Sequence, residues 1–202
     1  MELSLKGEVA IVTGGASGMG TAIAEGFARE GVDVVIADID LDIAQKLSKK
    51  LRDYGVRATA IKTDVTKKSD AYNLVSTTLK QFGKIDTLVN DAGVTSNIFL
   101  TDLEEEEWDR INNVNIKGIY LVTRAVIPYM ISQRSGKIIS IASIAGKEGI
   151  AGQTHYCSSK FAVIGFTQAL AKELGEYNIN VNAVCPGLVR TPMWPKLLDD
   201  MS

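Results

Sequence analysis

Cysteine, proline and histidine are scarce in this chain of 202 residues, which has two, four and one of them. Cys157 and Cys185 lie far apart and form no metal-like pair, so packed free thiols are expected and no metal site. No uninterrupted apolar run approaches the ~18 residues that would cross a bilayer. The start, Met1 to Gly7, lacks a charged segment followed by a long apolar one, so neither a membrane span nor a secretory signal is expected, and a cytoplasmic location is the default. An excess of one charge is also missing. The 22 Lys and Arg nearly balance 24 Asp and Glu, and the cations are spread along the chain instead of gathered in a block. Nucleic acid is therefore not an expected partner. The 46% hydrophobic and 23% charged residues fit a soluble globular protein and exclude disorder or a collagenous repeat. At roughly 100–200 residues per domain, residues 1–202 are expected to form one.

Strand-sized apolar runs alternate with helix-sized segments throughout. The runs are Val9–Thr13, Val32–Ala37, Ala58–Lys62, Ile85–Asn90, Lys137–Ile141 and Ile179–Cys185. Helical stretches fall at Gly18–Glu30, Asp40–Tyr54, Lys67–Phe82, Glu104–Ser132 and Tyr156–Gly175. Near-continuous hydrophobic strands with helical crossovers predict a doubly wound, three-layer α/β/α parallel sheet, the Rossmann arrangement. Pro186, Pro192 and Pro195 crowd the end and predict an irregular loop after the last strand. The acidic run Glu104–Glu107 follows Thr101, and Thr-x-x-Glu reads as a capping box that explains the run without a ligand.

After the first strand comes Thr13-Gly14-Gly15-Ala16-Ser17-Gly18-Met19-Gly20, a glycine-rich turn opening a helix. Glycines allow a tight turn and close backbone approach to a pyrophosphate, whose charge the free N–H groups and dipole of the helix N-terminus attract. Eighteen residues past Gly20, the second strand ends at Asp38. A carboxylate there accepts hydrogen bonds from ribose hydroxyls and repels a 2′-phosphate, so NAD is expected over NADP. Further on, Tyr156 and Lys160 stand one helical turn apart and share a face. A neighbouring ammonium is expected to lower the phenol from its ordinary pKa near ~10 and fit it for proton transfer.

These motifs together resemble the short-chain dehydrogenase/reductase family over nearly the whole chain. The ordered matches are Thr13-Gly14-x-x-x-Gly18-x-Gly20, Asp64-Val65, Asn90-Asp91-Ala92-Gly93, Asn115, Ser143, Tyr156-x-x-x-Lys160, Pro186-Gly187 and Thr191. The resemblance implies a catalytic tetrad of Asn115, Ser143, Tyr156 and Lys160. Tyr156 would be the acid/base, Ser143 would bond the reacting oxygen, and Lys160 would hold the nicotinamide ribose. Asn115 would sit at a bend of the long helix and hold a water in a proton relay. Ser143, thirteen residues before Tyr156, is preferred to Ser140, which is expected to bond locally. The cofactor would further meet Gly14, Ser17, Gly18, Met19, Gly20, Asp38, Asp64, Val65, Asn90, Asp91, Ala92, Gly93, Pro186, Gly187, Val189 and Thr191.

Two departures stand out. Asp91 occupies a place where the family usually has Asn, and a carboxylate cannot donate unless protonated. The chain also stops at Ser202, before the substrate-covering helix, further helix and last strand that the family usually carries. The expectation is either a fragment or an unusually built lid, with an exposed edge strand. The segments around Tyr156 and from Pro186 to Trp194 look most like acetoin/2,3-butanediol and polyol dehydrogenases. The expected substrate is thus a small secondary alcohol, vicinal diol or hydroxyketone in a pocket walled by Ile144, Gln153, His155, Leu188 and Trp194. His155, the only histidine, is expected as a wall or surface residue and not as a catalytic acid. Two rivals are a 3-oxoacyl-acyl-carrier-protein reductase, which Ser17 and Asp38 disfavour, and a catalytically silent binding subunit, which the complete tetrad disfavours. The resemblance also implies a homotetramer.

Overall fold

A computed structural model describes residues 3–191. Six parallel strands form one sheet: β1 (Val9–Thr13), β2 (Asp33–Asp38), β3 (Ala58–Lys62), β4 (Thr87–Asn90), β5 (Gly136–Ile141) and β6 (Ile179–Val184). Their order is β3-β2-β1-β4-β5-β6, with Val12 beside Ile36 in one direction and Val89 in the other. The connections are α1 (Gly18–Arg29), α2 (Leu41–Arg52), α3 (Lys68–Phe82), α4 (Glu105–Asn112), α5 (Gly118–Gln133) and α6 (Thr154–Leu174).

Alternate residues along each strand point to opposite faces, and here both faces are covered. Val9, Ile11, Val35 and Ala37 pack with Leu74 of α3, Val122 and Val126 of α5, and Leu170 of α6. Val12, Val34 and Ile36 pack with Ala24 and Ala28 of α1 and Ala44, Leu47 and Leu51 of α2. The three-layer expectation therefore holds, and it explains why every residue of β1 is buried.

The differences lie at element ends. Ile85 and Asp86 precede β4 because the Asp86 carboxylate accepts the Val9 N–H at 2.7 Å and pairs with Lys84 at 2.9 Å. The capping box does not form: Glu104 is the N-cap of α4 without a side-chain bond, and the Thr101 hydroxyl turns to Asp102. The expected single helix over 104–132 is divided by a π-helical turn at Asn113–Lys117, so that α4 and α5 meet at a widened turn. Among the described residues, β6 is the outermost strand on its side of the sheet, with no helix or strand after it.

Candidate active site

Parallel strands bring all their C-terminal ends to one edge, and the chain reverses its progress across the sheet between β1 and β4. Ligands of open α/β sheets bind at such a crevice. A cavity of about 250 Å³ opens there, walled by the turn after β1, the segment after β4, the segment after β5, the start of α6 and the loop after β6.

The turn after β1 is shaped by close packing. Gly14 has φ +65°, and a Cβ on it would lie 2.7 Å from Ala92 Cα. A Cβ on Gly20 would collide with the Gly14 carbonyl, so this glycine serves helix–turn packing instead of lining the cavity. Ser17, the extended N-cap of α1, makes no side-chain capping bond, and the first turn holds no acidic residue. Gly14, Ser17, Gly18 and Met19 thus face the cavity around a helix N-terminus without a carboxylate from its own first turn, an arrangement suited to a phosphate. Gly14→Ala is expected to cost about 2 kcal/mol and to weaken dinucleotide binding at least about tenfold, since it meets both a left-handed φ and a backbone atom. Thermal unfolding and fluorescence titration would check it.

Asp38, at the end of β2, accepts the N–H groups of Ala16 and Asp40, each at 3.0 Å. These bonds hold its carboxylate against the turn with lone pairs to spare for ribose hydroxyls. Asp38, Asp64 and Val65 lie beyond the residues that line the cavity, towards β2 and β3. The Asp64 carboxylate accepts from Thr66, and Val65 packs where a Cβ on Gly118 would stand. Asn90 departs from its expected place beside the cofactor: it is buried, and its amide donates to Thr123 at 3.0 Å and Ser140 at 3.4 Å. It ties β4 to α5 and β5, so Ser140 is engaged across strands by a residue 50 positions away and not by the local bonding expected of it.

Asp91, Ala92 and Gly93 line the cavity, as do Pro186, Gly187, Val189 and Thr191. Burial drives the Asp91 carboxyl up to about 6, against the pull of Lys160 and of the Gly20 N–H. Its Oδ1 has no partner among the described residues.

The expected catalytic side chains converge. Tyr156 and Lys160 rise from the start of α6, with the ammonium 5.6 Å from the phenol ring centroid. Ser143 caps the 3-10 turn after β5, accepting the Ala145 N–H at 3.1 Å, and its hydroxyl also bonds the Tyr156 side chain. Lys160 is buried and donates to the Ile141 carbonyl at 2.8 Å; desolvation pulls it down to about 8, while Asp91 opposes the change. One expectation is reversed. Burial lifts the Tyr156 phenol above its ordinary value and outweighs the Ser143 hydrogen bond. A phenol removed from water loses more than one hydrogen bond from Ser143 restores.

Asn115 sits in the π-helical turn, fully buried. Its Oδ1 accepts the Val94 N–H, and its Nδ2 donates to the Val94 carbonyl and to Ser159 Oγ, at 2.9, 2.9 and 3.1 Å. The side chain thus positions the post-β4 segment against α6, and one lone pair of Oδ1 remains beyond these three bonds.

Of the expected substrate wall, Ile144, Gln153 and Leu188 line the cavity. Trp194 lies outside the described residues. His155 corrects the expectation: it is wholly buried, absent from the lining, and bonded through Nε2 to Ser96 at 2.8 Å. Sequence reasoning missed Val94, Thr95, Ile141, Ala142, Ala145 and Ile150, which complete the wall. Their sequence signal is position: just after β4 for Val94 and Thr95, and at or after the end of β5 for the others.

The family model for the short chain dehydrogenases matches residues 8–202. The chain is 42% identical to a 3-oxoacyl-acyl-carrier-protein reductase of Thermotoga maritima, over 96% of this chain and 79% of that protein. It is 38% identical to a diacetyl reductase, (S)-acetoin forming, of Staphylococcus epidermidis, over 96% of this chain and 76% of that protein. A crystal structure of NAD+-bound xylitol dehydrogenase superposes with a TM-score of 0.89 at 34% identity, covering 91% of this chain and 71% of that one. Fold, site and sequence thus define an oxidoreductase with a nicotinamide dinucleotide, NAD(H) or NADP(H). The chain belongs to the short-chain dehydrogenase/reductase family. Among the described residues, no helix is long and apolar enough to cross a membrane.

Proposed function

We propose that the protein transfers a hydride between NAD(H) and a small secondary alcohol or ketone of the hydroxyketone, vicinal diol or polyol class. The observation that carries this reading is the meeting of Ser143, Tyr156 and Lys160 in the cavity that the Gly14–Met19 turn also lines. Asp38 supports NAD, because a 2′-phosphate would stand against its carboxylate. The apolar wall of Ile144, Ile150 and Leu188 suits a compact substrate, and the likeness to diacetyl reductase and xylitol dehydrogenase supports the class.

The nicotinamide, when bound, supplies or accepts the hydride. Ser143 Oγ bonds the substrate oxygen and aims it at the Tyr156 hydroxyl. Tyr156, held protonated at neutral pH by its burial, delivers a proton to that oxygen as the carbonyl is reduced and takes it back in oxidation. Lys160 orients the ribose and offers positive charge beside the phenol. Asn115 fixes Val94 and, through it, the wall opposite α6.

The second reading, a 3-oxoacyl-acyl-carrier-protein reductase, is favoured by the 42% identity to the Thermotoga maritima enzyme. Oxidation of NADH and NADPH against diacetyl, acetoin, xylulose and an acetoacetyl thioester separates the two. NADH with a hydroxyketone or diketone is expected to give the highest kcat/KM; preference for NADPH and the thioester would replace this reading with the second. A homotetramer is part of the proposal through the family resemblance, and light scattering tests it.

A further inference from the structure

The catalytic helix begins with a hydrogen-bonded chain that the hydride chemistry does not use. The Ser96 hydroxyl donates to Glu107 Oε1 at 2.5 Å and stands 2.8 Å from His155 Nε2. Glu107 is paired with Arg110 through both oxygens, at 2.6 and 2.7 Å, and this pairing pulls its carboxyl down to about 2. It is therefore an acceptor only. A serine has one proton to give, and Glu107 takes it. Ser96 Oγ must then accept from His155, which fixes the imidazole as the Nε2–H form and leaves Nδ1 as a bare acceptor. Consistent with that count, Nδ1 is buried with no partner among the described residues.

The chain spans three elements. Ser96 belongs to the segment after β4, Glu107 and Arg110 to α4, and His155 to the first turn of α6, next to Tyr156. The same segment is fastened at every second residue: Val94 by Asn115, Ser96 by His155, and Ile98 by its N–H to the Gly152 carbonyl at 2.7 Å. Thr95, between the first two fastenings, faces the cavity. Ser96 and His155 do not line the cavity themselves, so they act through their neighbours.

We propose that Ser96 and His155 are a positioning pair for Tyr156: Ser96, oriented by the Glu107–Arg110 ion pair, holds His155 as the Nε2–H tautomer and so sets the first turn of the catalytic helix against the post-β4 wall. The pair rests on the reading of Tyr156 as acid/base. The charged groups facing the imidazole are Glu107 and Arg110 of α4; its neighbour on α6 is the neutral Tyr156 phenol. Burial and the nearby Arg110 hold the ring neutral, while Glu107 alone opposes them.

The tautomer is directly readable, because His155 is the only histidine. Long-range ¹⁵N–¹H correlation on the labelled protein is expected to show one Nε2–H imidazole at pH 6.5, with no titration at the ordinary histidine value. An Nδ1–H form, or a ring that titrates as in free peptide, would overturn the proposal. Ser96→Ala and His155→Leu are each expected to lower kcat for diacetyl reduction about tenfold or more, with the Kd for NADH within about twofold. His155→Gln, which keeps a donor at Nε2, is expected to recover most of that loss. Lowered melting temperature with unchanged kcat in both variants would make the chain merely structural and refute the pair. Tyr156→Phe is run in parallel: turnover surviving in that variant refutes the acid/base reading itself, whereas loss there with normal Ser96→Ala and His155→Leu refutes only the positioning pair.

Discussion

Tyr156→Phe is expected to lower kcat for carbonyl reduction by about 10³-fold while leaving the Kd for NADH within about threefold. The substitution removes one hydroxyl and keeps the ring that packs at the mouth of α6, so the fold and the dinucleotide cradle at Gly14–Met19 are untouched. General acid catalysis contributes typically about 10²–10⁴ in rate. Here no neighbour can replace the phenol: Ser143 is not acidic enough, and the Lys160 ammonium is directed at the Ile141 carbonyl. His155 cannot substitute either, because it lies outside the cavity and is bonded to Ser96. Burial raises the phenol above its ordinary value, and this gives the pH dependence a sign. The proton donor stays intact through neutral pH, so reduction should hold steady there. Oxidation, which needs the deprotonated oxygen, should rise with pH across the same range. A Tyr156→Phe variant within tenfold of the parent rate would refute the role.

Asp91→Asn is expected to stabilise the protein at pH 7 by up to about 3 kcal/mol. The carboxyl is pushed by burial from 3.8 to about 6, and each pKa unit corresponds to about 1.4 kcal/mol. A folded-state pKa above the unfolded one means that the folded protein holds the proton more tightly. The penalty is therefore absent below about pH 4, grows as pH rises through the interval from 3.8 to about 6, and is complete above it. Parent and variant should melt together at pH 4 and diverge at pH 7, with the variant higher. An asparagine oxygen can still accept the Gly20 N–H, while the amide brings two N–H donors to satisfy, so the gain falls below the full figure. Lys160, whose charge Asp91 supports, should lose its proton at lower pH in the variant. A variant less stable than the parent at pH 7 would show that the Asp91–Lys160 attraction outweighs the burial of the carboxylate.

The sheet was legible because its signal is local. Val9–Val12 and Val34–Ala37 are apolar throughout, and only a strand covered on both faces needs that pattern. The pair Tyr156 and Lys160 was legible for the same reason, since one helical turn separates them. Asn115 was found at a bend, but the sequence could not show that its amide is spent on Val94 and Ser159, residues 21 and 44 positions away. The capping box at Thr101 failed because local spacing cannot reveal that the helix starts after Glu104 and that Thr101 turns to Asp102. The lowered tyrosine pKa failed on a matter of balance: helical geometry supplies the ammonium, whereas the depth at which the phenol is buried depends on the whole cavity. His155 was the furthest from reach, because its partner Ser96 is 59 residues away and in a loop.

The central claim is that a hydride passes between the nicotinamide and a substrate carbon next to Tyr156. It is tested most directly by supplying NADH deuterated at the nicotinamide C4 together with diacetyl and examining the acetoin formed by mass spectrometry and NMR. One deuterium on the new carbinol carbon, from one face of the nicotinamide and formed about 10³-fold more slowly with Tyr156→Phe, is the predicted result. Acetoin without deuterium, or label transferred only from deuterated NADPH to an acetoacetyl thioester, would contradict the account.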